Sequence, residues 1–325
     1  MSFPFTIYFL ALLSALAASA LSLPLWRRGC LRIGLVDDPG HRKIHDTPIP
    51  LAGGLAVMTG LLLPLLAAIL TLKLNLLGAE AVDRLSYGLG KRAGQLAAIF
   101  VGALGMLVLG GLDDRHELRP AAKFSGQFLI ALLVAAAGVR ITLFVDNLFF
   151  SYAVTILWIL TVTNACNFQD NMNGLCAGLG ALAAAAFGLL AAAHGQYLVA
   201  SIAFLVCGAA AGFLPHNFPH ARAFLGDAGS HLIGFLLAVL AILPHFYTPK
   251  APQTLAVLKP LLVLAVTLAD LVWVVALRTW TGRPFWIGDT NHFSHRLVRC
   301  GLSRTRAVLV LWLVAALAAA LALIL

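Results

Sequence analysis

A polytopic all-α membrane protein is the fold class that the sequence predicts, and three observations lead there. Of 325 residues, 61% are hydrophobic and 11% charged, whereas soluble domains run near 45–50% apolar with about a quarter charged. Ten apolar runs punctuate the chain, each close to the ~20 residues that cross a bilayer core. The basic residues sit in the intervals between those runs. A soluble enzyme, a disordered tail, collagen and a coiled coil are excluded by this arithmetic. The net charge of +9 would suit nucleic acid, but basic residues confined to inter-span loops serve membrane orientation. No nucleic-acid partner is expected.

The first run, about 5–25, ends in a signal-like Ala-rich stretch. No basic residue precedes it and Arg27 and Arg28 follow it, which predicts an uncleaved anchor with its N-terminus outside. Further spans are expected near 51–72, 94–112, 124–139, 150–165, 174–193, 197–215, 228–247, 257–277 and 307–325. Ten spans from an outside N-terminus put intervals 26–50, 113–123, 164–173, 216–227 and 278–306 in the cytosol. Fifteen of the 22 Lys and Arg fall there, as the positive-inside rule requires. Nine of the thirteen Asp and Glu fall there too, and that rule does not ask for them. The cytosolic face therefore uses carboxylates. Small-residue stretches at 174–178 and 181–186 read as close-packing faces, the five cysteines read as apolar fillers, and 1–325 reads as one domain.

Four clusters carry candidate chemistry. Asp113 and Asp114 stand side by side at a membrane boundary, with Arg115 next and Lys123 at the following helix start. Adjacent carboxylates need a cation or protons nearby; a solvated loop paired to Arg115 is the plainer alternative. The interval from Asn164 to Asn173 holds four Asn and Asp170, which is costly in a membrane unless the amides bind something or line a wet cavity. Asn164, Asn167 and Asp170 share a helical face if the span continues that far; an interhelical hydrogen-bond network is the competing reading. Asp227, in Phe224-Leu-Gly-Asp227-Ala-Gly-Ser230, opens the eighth span. It suits a helix cap, or a Mg²⁺ ligand beside phosphate held on helix amides. His292, His295 and Arg296 lie in the most basic interval, suited to a diphosphate clamp or to anionic lipid. Carboxylates, amides and basic groups on one face together indicate phosphoryl transfer at the membrane surface.

With these motifs in hand, the sequence resembles the polyprenyl-phosphate N-acetylhexosamine-1-phosphate transferases, the bacterial group related to phospho-MurNAc-pentapeptide translocase. The resemblance runs from about Gly34 to Arg306. It rests on the run from Gly34 through Lys43 to His45, on Pro50-Leu-Ala-Gly-Gly54, Asp113-Asp114, Asn164 to Leu175, Phe224 to Ser230, Asp270, and His292 to Leu297.

The resemblance implies transfer of a sugar 1-phosphate, GlcNAc-1-phosphate by preference, from a UDP-N-acetylhexosamine to polyprenyl phosphate, releasing UMP. It implies Mg²⁺, with Mn²⁺ as the alternate ion, and a multi-pass protein of the bacterial cytoplasmic membrane whose site faces the cytosol. Asp113, Asp114 and Asp170 take the catalytic positions, and Asp227 with Asn167 the metal positions. Lys43, Lys123, Asn164, Asn173, Phe224, His292, His295 and Arg296 face the nucleotide, sugar or phosphates. Asn173 stands where many relatives carry Asp, and Ser294 where many carry His. Expected partners are the UDP-sugar, polyprenyl phosphate and the bilayer, with a homodimer as one candidate assembly. The peptidoglycan translocase is the alternative within this chemistry. A transporter of a phosphorylated solute is the alternative outside it, with Asp270 as its lone intramembrane carboxylate.

Overall fold

The computed structural model describes residues 4–38, 47–74, 76, 89–142, 145–244, 254–284 and 286–325. Among these the chain is helical almost throughout. In order come α1 (Phe5–Ile33), the two-residue strands β1 (Val36–Asp37) and β2 (Ile49–Pro50), α2 (Gly53–Lys73), α3 (Ala93–His116), α4 (Pro120–Ala136), α5 (Leu148–Gln169) and α6 (Leu175–Ala193). Then follow α7 (Tyr197–Phe213), α8 (Gly226–Ile242), α9 (Lys259–Val263), α10 (Ala265–Trp280), α11 (Phe293–Arg299) and α12 (Arg304–Ile324). The strands pair antiparallel, Val36 opposite Pro50 and Asp37 opposite Ile49.

Among the described residues seven helices are long and apolar enough to cross a membrane: α1, α2, α3, α5, α6, α12 and the run Tyr197–His216 that extends α7. An eighth span is available if the pair Ala256–Val263 and Ala265–Trp280 is counted as one, although it bends by 73°. The break falls at Leu264, whose φ of −98° and ψ of 13° leave helical geometry. The expected spans at 124–139 and 228–247 are realised as α4 and α8, of 17 residues each. At 1.5 Å per residue such helices reach about 26 Å, short of a ~30 Å hydrocarbon core. An all-α, multi-pass membrane protein is therefore what the described residues form, with seven long apolar helices, one bent pair and two shorter apolar helices where about ten spans were expected.

The expected cytosolic loops are in large part helix ends. Arg27 and Arg28 lie inside α1, Asp113 and Asp114 inside α3, and Asn164 to Gln169 inside α5. The polar groups there meet partners on neighbouring helices, so the backbone has no reason to leave its own hydrogen bonds.

α8 is the hub. Between Gly226 and Ala241 every residue except Asp227 is buried, the pattern of a helix surrounded on all sides. It packs on α2, α3, α5, α6 and α7. α1 lies along α7 and α2, α6 along α7, and α12 along α6. A backbone seam fixes the start of α8 against the start of α2: Phe224 N–H donates to Pro50 O at 3.0 Å, Gly53 N–H to Phe224 O at 2.9 Å, and Gly54 N–H to Leu225 O at 3.2 Å. This is the work of Pro50-Leu-Ala-Gly-Gly54.

Gly110 is where α3 and α8 touch most closely. A Cβ on it would overlap the Asp227 carbonyl group and sit 2.5 Å from Ala228 Cα. On Gly111 a Cβ would reach only the Ala228 methyl, at 4.0 Å. Gly110→Ala is therefore expected to lower stability by about 1–3 kcal/mol, the range for overpacking. Gly111→Ala should leave it unchanged or raise it by up to about 1 kcal/mol through helix propensity. Thermal midpoints of the two purified variants check this, and equal midpoints would refute the close approach.

Candidate active site

Five of the residues singled out in the sequence meet where α3, α4, α5 and α8 end or begin. Pro120 at the first position of α4 pre-sets its entry. One turn later Lys123 places its ammonium 2.7 Å from Asp113 Oδ2 and 2.9 Å from Asp227 Oδ2. Asn167, in the last turn of α5, donates through Nδ2 to Asp227 Oδ1 at 2.6 Å and to Ser230 Oγ at 3.0 Å. Its Oδ1 lies 3.5 Å from Lys123 Nζ. One cation thus faces oxygens from three other helices.

Asp113 keeps its Oδ1 for the Leu118 backbone N–H, at 2.8 Å, closing the turn into α4. Asp114 lies about 100° further around α3 and meets the start of α8. The Asp227 N–H donates to its Oδ1 at 2.7 Å and the Ala228 N–H to its Oδ2 at 3.0 Å. These are orphan amides of a helix N-terminus, so Asp114 caps α8 from another helix. Asp227 is not a cap: it lies within the first turn of α8, and its carboxylate is turned to Lys123 and Asn167. Arg115 is not the partner of the pair either; Lys123 holds that place.

Asp170 is the C-cap of α5, its N–H on Asn167 O at 3.1 Å. Burial first, then the charges of Asp227 and Asp114, push its carboxyl up to about 8, against a hydrogen bond from the Gly226 backbone. A carboxyl in that range carries a proton for much of the time near neutrality and can donate as well as accept.

A second cluster adjoins the first through the amide-rich segment. His292 Nδ1 lies 2.7 Å from Asp270 Oδ2, and the Phe293 N–H donates to Asp270 Oδ1 at 2.7 Å. Buried Arg278 donates to both oxygens of Asp289, at 3.2 and 3.3 Å. Partial burial works the other way, but Arg278 and Asn291 hold the Asp289 carboxyl at about 2. The Arg278 guanidinium stacks 4.9 Å from the Phe168 ring, whose edge meets His292. Ser294 Oγ donates to Asn171 Oδ1 at 2.6 Å. His295 lies beside His292, their ring centres 6.3 Å apart. Burial, then His292, Arg304 and Arg299, keep it below the usual histidine range. Arg296 stacks 4.6 Å over Trp273.

The remaining candidates lie apart. Asn164 Nδ2 donates to Gln127 Oε1 at 2.7 Å and to Leu160 O at 2.8 Å, one turn inward from Asn167. Its amide is committed to an interhelical network. Asn173 Nδ2 donates to Pro219 O at 3.1 Å. Phe224 is half-buried in the seam with α2. Lys43 lies outside the described residues.

The sequence reading passed over Gln127, Ser230, His231 and Arg278. Gln127 is fully buried four residues after Lys123, and its Nε2 lies 3.4 Å from His231 Nε2. The Leu160 carbonyl fixes the Asn164 amide, which fixes Gln127, so His231 Nε2 accepts and the ring carries its proton on Nδ1. A Gln at the start of the apolar part of α4, and a His four residues after Asp227, were the available signals.

Fold and site together define a multi-pass membrane protein with a carboxylate, amide and ammonium cluster at one end of its central helices. Residues 96–245 match the model of glycosyl transferase family 4. The chain is 31% identical over 299 residues to a Bacillus subtilis protein named "Probable undecaprenyl-phosphate N-acetylglucosaminyl 1-phosphate transferase", covering 90% of this chain and 77% of that one. It is 34% identical to the decaprenyl-phosphate N-acetylglucosaminephosphotransferase of Mycobacterium tuberculosis, covering 87% and 73%. With the undecaprenyl-phosphate alpha-N-acetylglucosaminyl 1-phosphate transferase of Escherichia coli K12 it shares 26% identity over 95% and 81%. The chain belongs to the polyprenyl-phosphate N-acetylglucosamine-1-phosphate transferases of glycosyl transferase family 4.

Asp114→Ala removes both acceptors from the start of α8 and should cost about 0.5–2 kcal/mol, the worth of an N-cap. Asp227→Asn keeps the acceptor for Asn167 and should shift the thermal midpoint less. The reverse order of midpoints would show that Asp114 does not hold the helix.

Proposed function

We propose that the protein transfers GlcNAc-1-phosphate from UDP-GlcNAc to polyprenyl phosphate, releasing UMP, on the cytosolic side of a bacterial inner membrane. In this reading the chain crosses the membrane ten times with its N-terminus outside, α4 and α8 included. The observation that carries it is the Lys123 cluster: Asp113, Asp227 and Asn167 converge on one cation in a chain of this family.

Mg²⁺ fits the residues present. Among the described residues no three His, Cys, Asp or Glu side chains gather for a metal, so a site of ion-binding strength needs substrate oxygens as well. Mg²⁺ is the ion that takes one or two carboxylates plus phosphate oxygens. Asp227, with Asn167 Oδ1 beside it, would hold it. When bound, it supplies positive charge where nucleotide diphosphate and lipid phosphate meet.

This chain's residues do the rest. An oxygen of the lipid phosphate attacks the β-phosphorus in line; the new P–O bond forms as the bond to UMP breaks. A phosphate with its second pKa about 6 needs little deprotonation near neutrality, so Asp113 positions Lys123, whose ammonium offsets developing charge. Asp114 holds the first turn of α8 and so fixes Asp227. Asp170, protonated part of the time, meets the leaving phosphate as a donor. Asp270 orients His292 through Nδ1, and a proton on Nε2 lets the ring donate to the diphosphate alongside His295 and Arg296.

Purified protein given polyprenyl phosphate, Mg²⁺ and UDP-GlcNAc labelled in its β-phosphate should yield butanol-extractable label, and EDTA should abolish it. Absence of labelled lipid across a panel of UDP-sugars would refute the reading. Asp227→Asn should lower kcat about 10²–10³-fold, the usual loss for a charge-stabilising group, while remaining folded.

Orientation has its own check. In a Cys300→Ser background, Ser303→Cys should react with an impermeant maleimide only after the membrane is opened. Labelling of intact cells would reverse the topology.

A further inference from the structure

We propose that Gln127, Asn164 and His231 form a positioning layer for the reaction, a neutral buried network one helical turn beneath Lys123, Asn167 and Asp227 that holds α4 in register against α8. The inference rests on the transfer reaction proposed above, because it assigns these residues to the placement of Lys123 in that reaction.

Spacing in the sequence puts the two layers in parallel. Lys123 and Gln127 are four residues apart on α4, Asp227 and His231 four apart on α8, and Asn164 and Asn167 three apart on α5. Those separations place each pair on one helical face. The site lies at the start of α4 and α8 and at the end of α5, so all three steps lead the same way, inward from the polar end. Each of the three helices thus gives one polar group to the site and one to the layer below it.

Hydrogen bonds join the layer. Asn164 Nδ2 donates to Gln127 Oε1 at 2.7 Å, and the Gln127 amide turns its two protons to Asn164 Oδ1 at 3.5 Å and His231 Nε2 at 3.4 Å. Gln127 and His231 have no exposed surface. With Nε2 accepting, the ring is neutral, and its Nδ1 proton has no partner among the described residues. A buried N–H in that condition costs about 1–3 kcal/mol. An apolar side chain would avoid that cost, so what the histidine adds is the acceptor for Gln127.

What the acceptor secures is α4. The backbones of α5 and α8 already touch: a Cβ on Gly234, three residues after His231, would lie 2.7 Å from Thr163 Cα. α4 packs on α3 and α5 and reaches α8 through long side chains, Lys123 to Asp227 and Gln127 to His231. The first of these links is the one that the reaction loosens. Lys123 offsets charge on a phosphate only by turning toward it from Asp113 and Asp227, and the ion pair joining α4 to α8 weakens as it does. A neutral link one turn inward is untouched by that exchange of charge, and a buried polar group is a means of fixing helix register.

Two measurements on the full chain test the layer. In the first, Lys123→Cys and Asp227→Cys are joined by a short bis-methanethiosulfonate in a Cys300→Ser background, where the ion pair is absent and the lower link remains. Cross-link yield should fall severalfold with Gln127→Leu or His231→Phe and recover with His231→Gln, which restores an acceptor; an unchanged yield overturns the proposal. In the second, the labelled-lipid assay on the otherwise native chain, Gln127→Leu and His231→Phe should lower kcat by about 10²-fold, the order for a misplacement of ~1 Å. KM for UDP-GlcNAc should change little, and His231→Gln should regain most of the rate. A loss that His231→Gln does not reverse overturns the positioning role. Cross-linking that follows the layer while wild type makes no labelled lipid would refute the reaction and keep the register. Turnover with cross-linking indifferent to the layer would refute the layer alone. If the leucine or phenylalanine form fails to fold, Gln127→Asn, whose shorter amide stops short of His231, takes its place under the same criteria.

Discussion

One ammonium shared by two carboxylates sets the geometry of this protein. Lys123 bonds Asp113 and Asp227 at once, and neither carboxylate could lie at a membrane boundary without such a partner. The sharing forces α3, α4 and α8 to converge, and Asn167 draws in α5. Asp113 and Asp114, adjacent in sequence, solve two problems on one helix. The first neutralises part of the ammonium. The second, a hundred degrees away, satisfies the amides at the start of α8 and places their partial positive charge against its own negative one. Gly110, one turn before, lets α3 come close enough for both.

The same arrangement accounts for the cluster's charge. Asp113, Asp114 and Asp227 are set against one ammonium and one helix terminus. The Mg²⁺ proposed above would add positive charge to this carboxylate-rich cluster and so favour phosphates there.

The class of the fold was legible because composition and apolar run length act on every residue at once. The positions of Asp113, Lys123, Asn167 and Asp227 were legible too, since polar residues at the ends of apolar runs have few places to go. What resisted was everything decided by helix-to-helix register. A sequence shows two adjacent aspartates but not that one of them caps a helix over a hundred residues away. Asn164 and Asn167 share a face, yet Asn164 meets buried Gln127 and Asn167 meets Asp227. At α4 the expected span and the helix differ in position and not in length, whereas α8 ends at Ile242, short of the expected 247. Helix ends there are fixed by Pro120, by the Gly138 turn and by the amides on Asp114.

The bend at Leu264 gives the second cluster its place. A straight helix through 257–277 would carry Asp270 into hydrocarbon as an unpaired carboxylate, the feature that suited a transporter. Bent by 73°, the segment brings Asp270 to His292 and the Phe293 amide, and Arg278 to Asp289 and Phe168. Phe168 follows Asn167 directly, so α5 carries one group of each cluster on consecutive residues. Asp270 is thus paired within the protein, and the ion-pathway reading loses the one unpaired carboxylate that favoured it.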